Sequence, residues 1–251
     1  MRLNNSRKFL LTGIFVFCVL ASFAQRPKDN PRSPYTGDFS YGKRGISEVR
    51  FEGVKNNNRI NYSDIHGSPF WKPDWQTAMV YIDQVKAGNL SVRINFATNE
   101  VHFVKNFEEQ VVTDVNITKL VFDNNGDSVV FINQVPDLFL NKKKLDGFIQ
   151  VMNPGEYQLL KHTARKVYSA DSLLGTQKRY FFTDEFSYFL KSYEKIERVK
   201  KLDEENFMPY IPSSSLFKKW ISESGIDFKK EEDVIRFLNY YNSQRANRPA
   251  R

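Results

Sequence analysis

Apolar and polar residues alternate through the middle of this chain. From Leu90 to Phe96, Leu90, Val92, Ile94 and Phe96 fall on one side, and Ser91, Arg93 and Asn95 on the other. A period of two marks a half-buried strand, because successive side chains of extended backbone point to opposite faces. Ala97-Thr98-Asn99-Glu100 reads as a turn and Val101 to Val104 as the return strand, so the pair predicts a β-hairpin. His102 takes a polar position on that strand, between Val101 and Phe103.

The same rhythm predicts strands at Met79 to Asp83, Gln110 to Thr113, Ile117 to Phe122 and Ser128 to Asn133. Ala87-Gly88-Asn89 and Asp123-Asn124-Asn125-Gly126-Asp127 supply turns. Strands resume at Phe148 to Met152 and Tyr157 to Val167, followed by a hairpin around Thr183-Asp184 and a charged edge strand from Ile196 to Leu202. Hairpins in close succession predict an antiparallel meander, forming a sandwich or a partly closed barrel.

A helical period closes the chain. Leu216 to Ser224 reads as a short helix with serine caps before it and Gly225 after it. Lys230 to Ser243 reads as a second, with Glu231, Glu232 and Asp233 in its first turn and a stripe of Val234, Ile235, Leu238 and Tyr241. Helices this short are marginal alone, so the stripe must dock on something, its own sheet being favoured over a partner. The expected fold class is mainly β (α+β), with a C-terminal αα-hairpin. The domain plan is a signal peptide at 1–24, a flexible leader at 25–60, a β-rich domain at 61–208, the helical hairpin at 209–245 and a disordered tail at 246–251.

Export follows from the first residues. Arg2, Arg7 and Lys8 precede an apolar run, Phe9 to Leu20, that is shorter than the roughly 20 residues a membrane span requires. Ser22 and Ala24 are small residues suited to cleavage before Gln25. The single cysteine, Cys18, follows the bulky Phe15-Val16-Phe17, which departs from a lipidation signal. The cleaved chain would carry no disulfide, thiol nucleophile or thiolate metal site. The leader holds Pro27, Pro31 and Pro34, and Ile46 to Val54 predicts one short strand. Cleavage takes 37 basic residues to 34 against 29 acidic, a modest net +5. No second apolar run reaches spanning length, so no transmembrane segment is expected after cleavage. The predicted location is the periplasm, the outer membrane or the medium.

Candidate chemistry is sparse. Asp123, Asn125 and Asp127 match the first ligands of a calcium loop, but glycine comes fourth rather than sixth and Gln134 stands at the twelfth position. His66, His102 and His162 show no metal-ligand spacing. Glu108 and Glu109 are adjacent and point to opposite strand faces. No nucleophile elbow, phosphate loop or H-E-x-x-H occurs. Catalytic, cofactor and metal residues are therefore expected to be none. Phe70, Trp71 and Trp75 are the candidates for contact with a ligand or partner.

The Phe23-Ala24-Gln25 signal end, the stretch Gly67-Ser68-Pro69-Phe70 and the ending LFKKWISESGIDFKKEEDVIRFLNYYNS resemble exported β-rich proteins of Bacteroidetes that carry a C-terminal helix pair and have no assigned activity. The resemblance implies export and architecture, and no residue role. The expected function is an exported, non-enzymatic envelope protein with a binding or structural role. Its partner would be an envelope protein or glycan, not nucleic acid. The alternatives are a glycan-directed hydrolase with carboxylates dispersed along the sheet, and a sugar- or peptide-binding module using exposed aromatics.

Overall fold

A computed structural model describes residues 64 to 246, apart from 106–107, 113–115, 125, 137, 141, 172–177, 194 and 213. The predicted signal, leader and Ile46–Val54 strand lie outside the described residues. The strands are β1 (Ile65–His66), β2 (Gln76–Ile82), β3 (Val85–Asn95), β4 (Glu100–Lys105), β5 (Glu108–Val111), β6 (Ile117–Asn124) and β7 (Asp127–Ile132). They continue with β8 (Phe139–Leu140), β9 (Lys143–Lys144), β10 (Ile149–Val151), β11 (Tyr157–Asp171), β12 (Lys178–Ser192) and β13 (Lys195–Val199). Three α-helices follow: α1 (Glu204–Phe207), α2 (Lys218–Glu223) and α3 (Glu231–Ala246).

Eleven strands form one sheet in the order β1-β12-β11-β10-β7-β6-β2-β3-β4-β5, with β13 also on β12, while β8 and β9 pair separately. All pairings are antiparallel except β1 with β12, which makes the sheet mixed. The sheet does not close into a barrel, but it curls. Four flat strand spacings separate β5 from β6, ~19 Å, and their ends are offset by ~23 Å along the strands. The six residues from Val111 to Ile117 reach at most ~21 Å. The connection fits only because β2, β3, β4, β6 and β7 bend around a shared core of Val80, Ile94, Phe103, Leu120, Phe122 and Phe131. The β3–β4 turn thereby reaches β11, where the Arg165 N–H donates to the Phe96 carbonyl at 3.4 Å.

Both faces of the β11–β12 pair are covered where Tyr157 to Lys161 run beside Tyr188 to Ser192. Leu159 and Leu190 point to the helices, packing with Val199, Phe207, Phe237 and Leu238. Their neighbours Leu160 and Phe189 point the other way, onto Val135, Leu138 and Ile149. The helix pair is pinned by polar contacts as well. Asn242 of α3 accepts from the Tyr157 N–H at 2.9 Å and donates to the Tyr157 and Pro154 carbonyls. Lys161 of β11 meets Glu231 at 2.7 Å.

Four local expectations are corrected. The turn between β2 and β3 lies at Asp83-Gln84, both at positive φ (45° and 68°), not at Ala87-Gly88-Asn89. A two-residue hairpin needs left-handed backbone, and Asp83 holds it by accepting from Asn116 Nδ2 at 3.0 Å. Gly88 instead sits opposite Val80, where the register shifts by a bulge. Thr183-Asp184 is no hairpin; β12 runs straight through it, paired residue by residue with β11. Helix α1 precedes the expected pair, capped by the Asp203 carboxylate on the Asn206 N–H. The buried stripe of α3 is Val234, Phe237, Leu238 and Tyr241, with Ile235 half-buried.

Candidate functional site

Residues 69–71 continue the lane of β2 beside β3. Phe70 bridges Asn95, the Trp71 N–H donates to the Ile94 carbonyl at 2.8 Å and the Phe96 N–H to the Pro69 carbonyl at 2.9 Å. β2 proper starts with Gln76 opposite Val92, so the residues between bulge out of the ladder. Pro73, which has no N–H to give a ladder, favours that excursion. The bulge folds back over the polar side of β3 and β4 and closes over a polar cluster there.

Arg93 of β3 is directly paired with His102 of β4, and Glu109 of β5 closes the group. The Glu109 Oε1 accepts from Arg93 Nη2 and meets His102 Nδ1, each at 2.7 Å. The Arg93 guanidinium lies between two rings, 3.9 Å from the centre of Phe70 and 4.1 Å from that of Trp75. Its Nη1 donates to the Pro73 carbonyl at 3.0 Å, which stitches the bulge down. Phe70 also sets its ring edge-on to the His102 imidazole at 5.0 Å. Phe70 and Trp75 thus meet at one cation, while Trp71 goes elsewhere. Its ring packs on Phe122 and Phe131 in the core, with the Lys72 ammonium 4.8 Å from its centre.

His102 lies on the polar side of β4, opposite Arg93, as its alternation predicts, yet its side chain is only 2% exposed. Burial pushes its pKa below the ordinary value, against the opposing pull of Glu109 and Glu100 and with the help of Arg93. With Nδ1–H directed at the carboxylate, Nε2 carries the lone pair. It has no hydrogen-bond partner among the described residues, and the Glu100 Oε2 stands 3.9 Å away. A carboxylate orienting an imidazole is the orienter-and-base half of a nucleophilic triad. Among the described residues no hydroxyl bonds to Nε2, and Phe70 sets its ring against the imidazole.

The other histidines lie apart from this cluster. His66 stacks on Phe181 at 5.3 Å. His162 is buried in β11, its pKa lowered by burial against the pull of the Asp146 backbone. Among the described residues no three His, Cys, Asp or Glu side chains gather as a metal site. A solvent-open depression of about 560 Å³ near α1 is lined by Glu204, Glu205, Met208, Pro209, Ser214 and Lys218.

His102 and His162 set an acid limit. Both fold with a depressed pKa, so below about 6.5 the unfolded chain binds more protons than the folded one. Stability is full above that pH and falls as pH drops toward the folded values, by up to about 1.4 kcal/mol per pH unit for each histidine. Urea midpoints between pH 7.5 and 5 should show this slope, and His102→Gln should reduce it. An unchanged slope in that variant would remove His102 from the account.

Sequence reasoning missed the cluster because it slipped the hairpin register. The Asn95 side chain accepts from the Ala97 and Thr98 N–H groups, starting the turn one residue early. That pairs Asn95 with Glu100, and hence Arg93 with His102. An asparagine before the turn was the signal available. Compared with known protein families, curated proteins and solved structures, the chain matches none.

Proposed function

We propose that the protein is an exported, non-enzymatic component of the cell envelope with a binding or structural role. The observation that supports this most is the use made of the orienter-and-base pair found among the described residues. His102 and Glu109 are spent on holding Arg93 and the lead-in bulge, under Phe70, rather than facing a cleft. The Arg2–Lys8 charges, the apolar Phe9–Leu20 run and the small residues Ser22 and Ala24 support export.

The test is fractionation of the expressing cell with mass determination of the product. A chain starting at Gln25 in the envelope or medium is the expected result. A full-length cytosolic chain would overturn export. Release of reducing ends from envelope glycan by the purified protein would overturn the non-enzymatic part and favour the glycan hydrolase instead.

A further inference from the structure

Among the described residues, strands cover the outer edge of β12 only toward its two ends. β1 lies beside Tyr180 and Phe181, and β13 beside Tyr188 to Ser192. Between them, Thr183 to Ser187 have no strand on that side among the described residues. Hydrogen-bonding direction alternates along an antiparallel strand. Counting back in twos from the Ser192–Lys195 pair that closes the β12–β13 hairpin, Phe186 and Asp184 turn their N–H and C=O groups outward.

Exposed edges are normally guarded by proline, a bulge or free charge. Here there is no proline from 183 to 187, and the register with β11 is unbroken. The two acids are already neutralised. Asp184 takes the Arg165 guanidinium in two-point contact at 2.6 and 2.7 Å. Glu185 takes Lys166 at 2.6 Å and the Tyr168 hydroxyl. Beside this edge the Phe186 ring is 49% exposed, with the Lys161 ammonium 4.1 Å from its centre.

We propose that the Thr183–Ser187 edge of β12 is a docking slot for a short extended peptide of another protein, which adds as a strand between β1 and β13. The flanking strands select the occupant. A second copy of β12, fifteen residues long, would run beyond the slot into β1 and β13. Only a segment of about five residues that leaves the sheet at both ends fits. Its chemistry follows from the two faces. The residue opposite Phe186 shares the side of that ring and is apolar. The residue opposite Glu185 shares the side of Lys166 and Tyr168 and is polar. With both acids paired, the slot asks for no net charge. This deepens the binding role proposed above and does not depend on export.

The probe is a capped pentapeptide of alternating threonine and valine, added at millimolar concentration to the isotopically labelled full chain. Amide exchange at Asp184 and Phe186 should slow about tenfold at nine-tenths occupancy. The same peptide N-methylated at alternate amides should have no effect. Phe186→Pro should abolish the response while leaving the urea midpoint near the parent's, since proline is tolerated where N–H faces an open edge. Should that variant unfold, Glu185→Lys, which sets an unneutralised charge beside Lys166, should abolish it instead.

Three results would overturn the slot. One is exchange at Asp184 and Phe186 that is already slow in the free monomer. Another is protection that grows with protein concentration alone, which assigns the edge to a second copy. The last is protection by the N-methylated peptide. Each leaves the envelope assignment standing, and an uncleaved cytosolic chain would sink that assignment while leaving the slot.

Discussion

Phe237→Ala is expected to lower the unfolding free energy by about 3–5 kcal/mol, read as a drop in urea midpoint at constant slope. Phe237 has no exposed surface. Its ring centre lies 5.3 Å from Phe228, 6.1 Å from Tyr241, 6.2 Å from Phe217 and 6.3 Å from both Phe207 and Trp220. Those rings come from α1, α2, α3 and the loops between them, so they cannot all move inward to fill one void. Edge-on aromatic pairs each add about 0.5–1.5 kcal/mol beyond area burial, and truncation removes several together. Against a typical total of about 5–15 kcal/mol, that loss leaves little reserve. Phe139→Ala is the control, because that ring is 51% exposed and should shift the midpoint hardly at all. Equal, small shifts for the two variants would mean the helices form a detachable cap.

Arg165→Met is expected to cost about 3 kcal/mol, toward the lower end for a broken buried ion pair because Asp184 keeps some access to water. The side chains of the pair are 14% and 27% exposed. Arg165 also donates to the Ser68 carbonyl at 2.8 Å and to the Phe70 carbonyl, and its guanidinium lies 5.6 Å from the Phe96 ring centre. One cation therefore ties three segments: the strand beneath it, the β3–β4 turn and the lead-in at 68–70. Methionine preserves the stem's packing and deletes only the polar end, so the loss reports the tie itself. A double-mutant cycle with Asp184→Asn should give coupling above about 1 kcal/mol. Additive effects would show instead that the guanidinium serves the carbonyls alone.

The parts of the fold legible in the sequence were those where one local rule acts without competition. Val92 and Ile94 are buried as their alternation requires, and α3 forms where its acidic first turn and apolar stripe place it. Legibility failed where distant chain decides. The Asp83-Gln84 turn carries no glycine; it is held by Asn116 and by Thr118, whose hydroxyl accepts the Gln84 N–H at 2.9 Å. Those partners come from the start of β6 and the residue before it, more than thirty residues later. Thr183-Asp184 looks like turn chemistry until Arg165 claims the carboxylate. His102 sits on a polar stripe whose solvent is displaced by the Phe70–Trp75 bulge. Of the three ring candidates, the motif Phe70-Trp71-Lys72-Pro73-Asp74-Trp75 revealed their crowding but not their division between Arg93 and the core.

The pairing of β1 with β12 has a consequence for the order in which this polypeptide acquires its shape. Ile65 and His66 find Tyr180 and Phe181 across about 115 intervening residues. Closing so long a loop for two residues of ladder is entropically unrewarding until the acceptor strand stands ready. β1 is thus among the last of the described strands to settle. A chain emerging from its amino end must therefore hold β1 in waiting until β12 has been made, while the hairpins of β2 to β7 need no such delay.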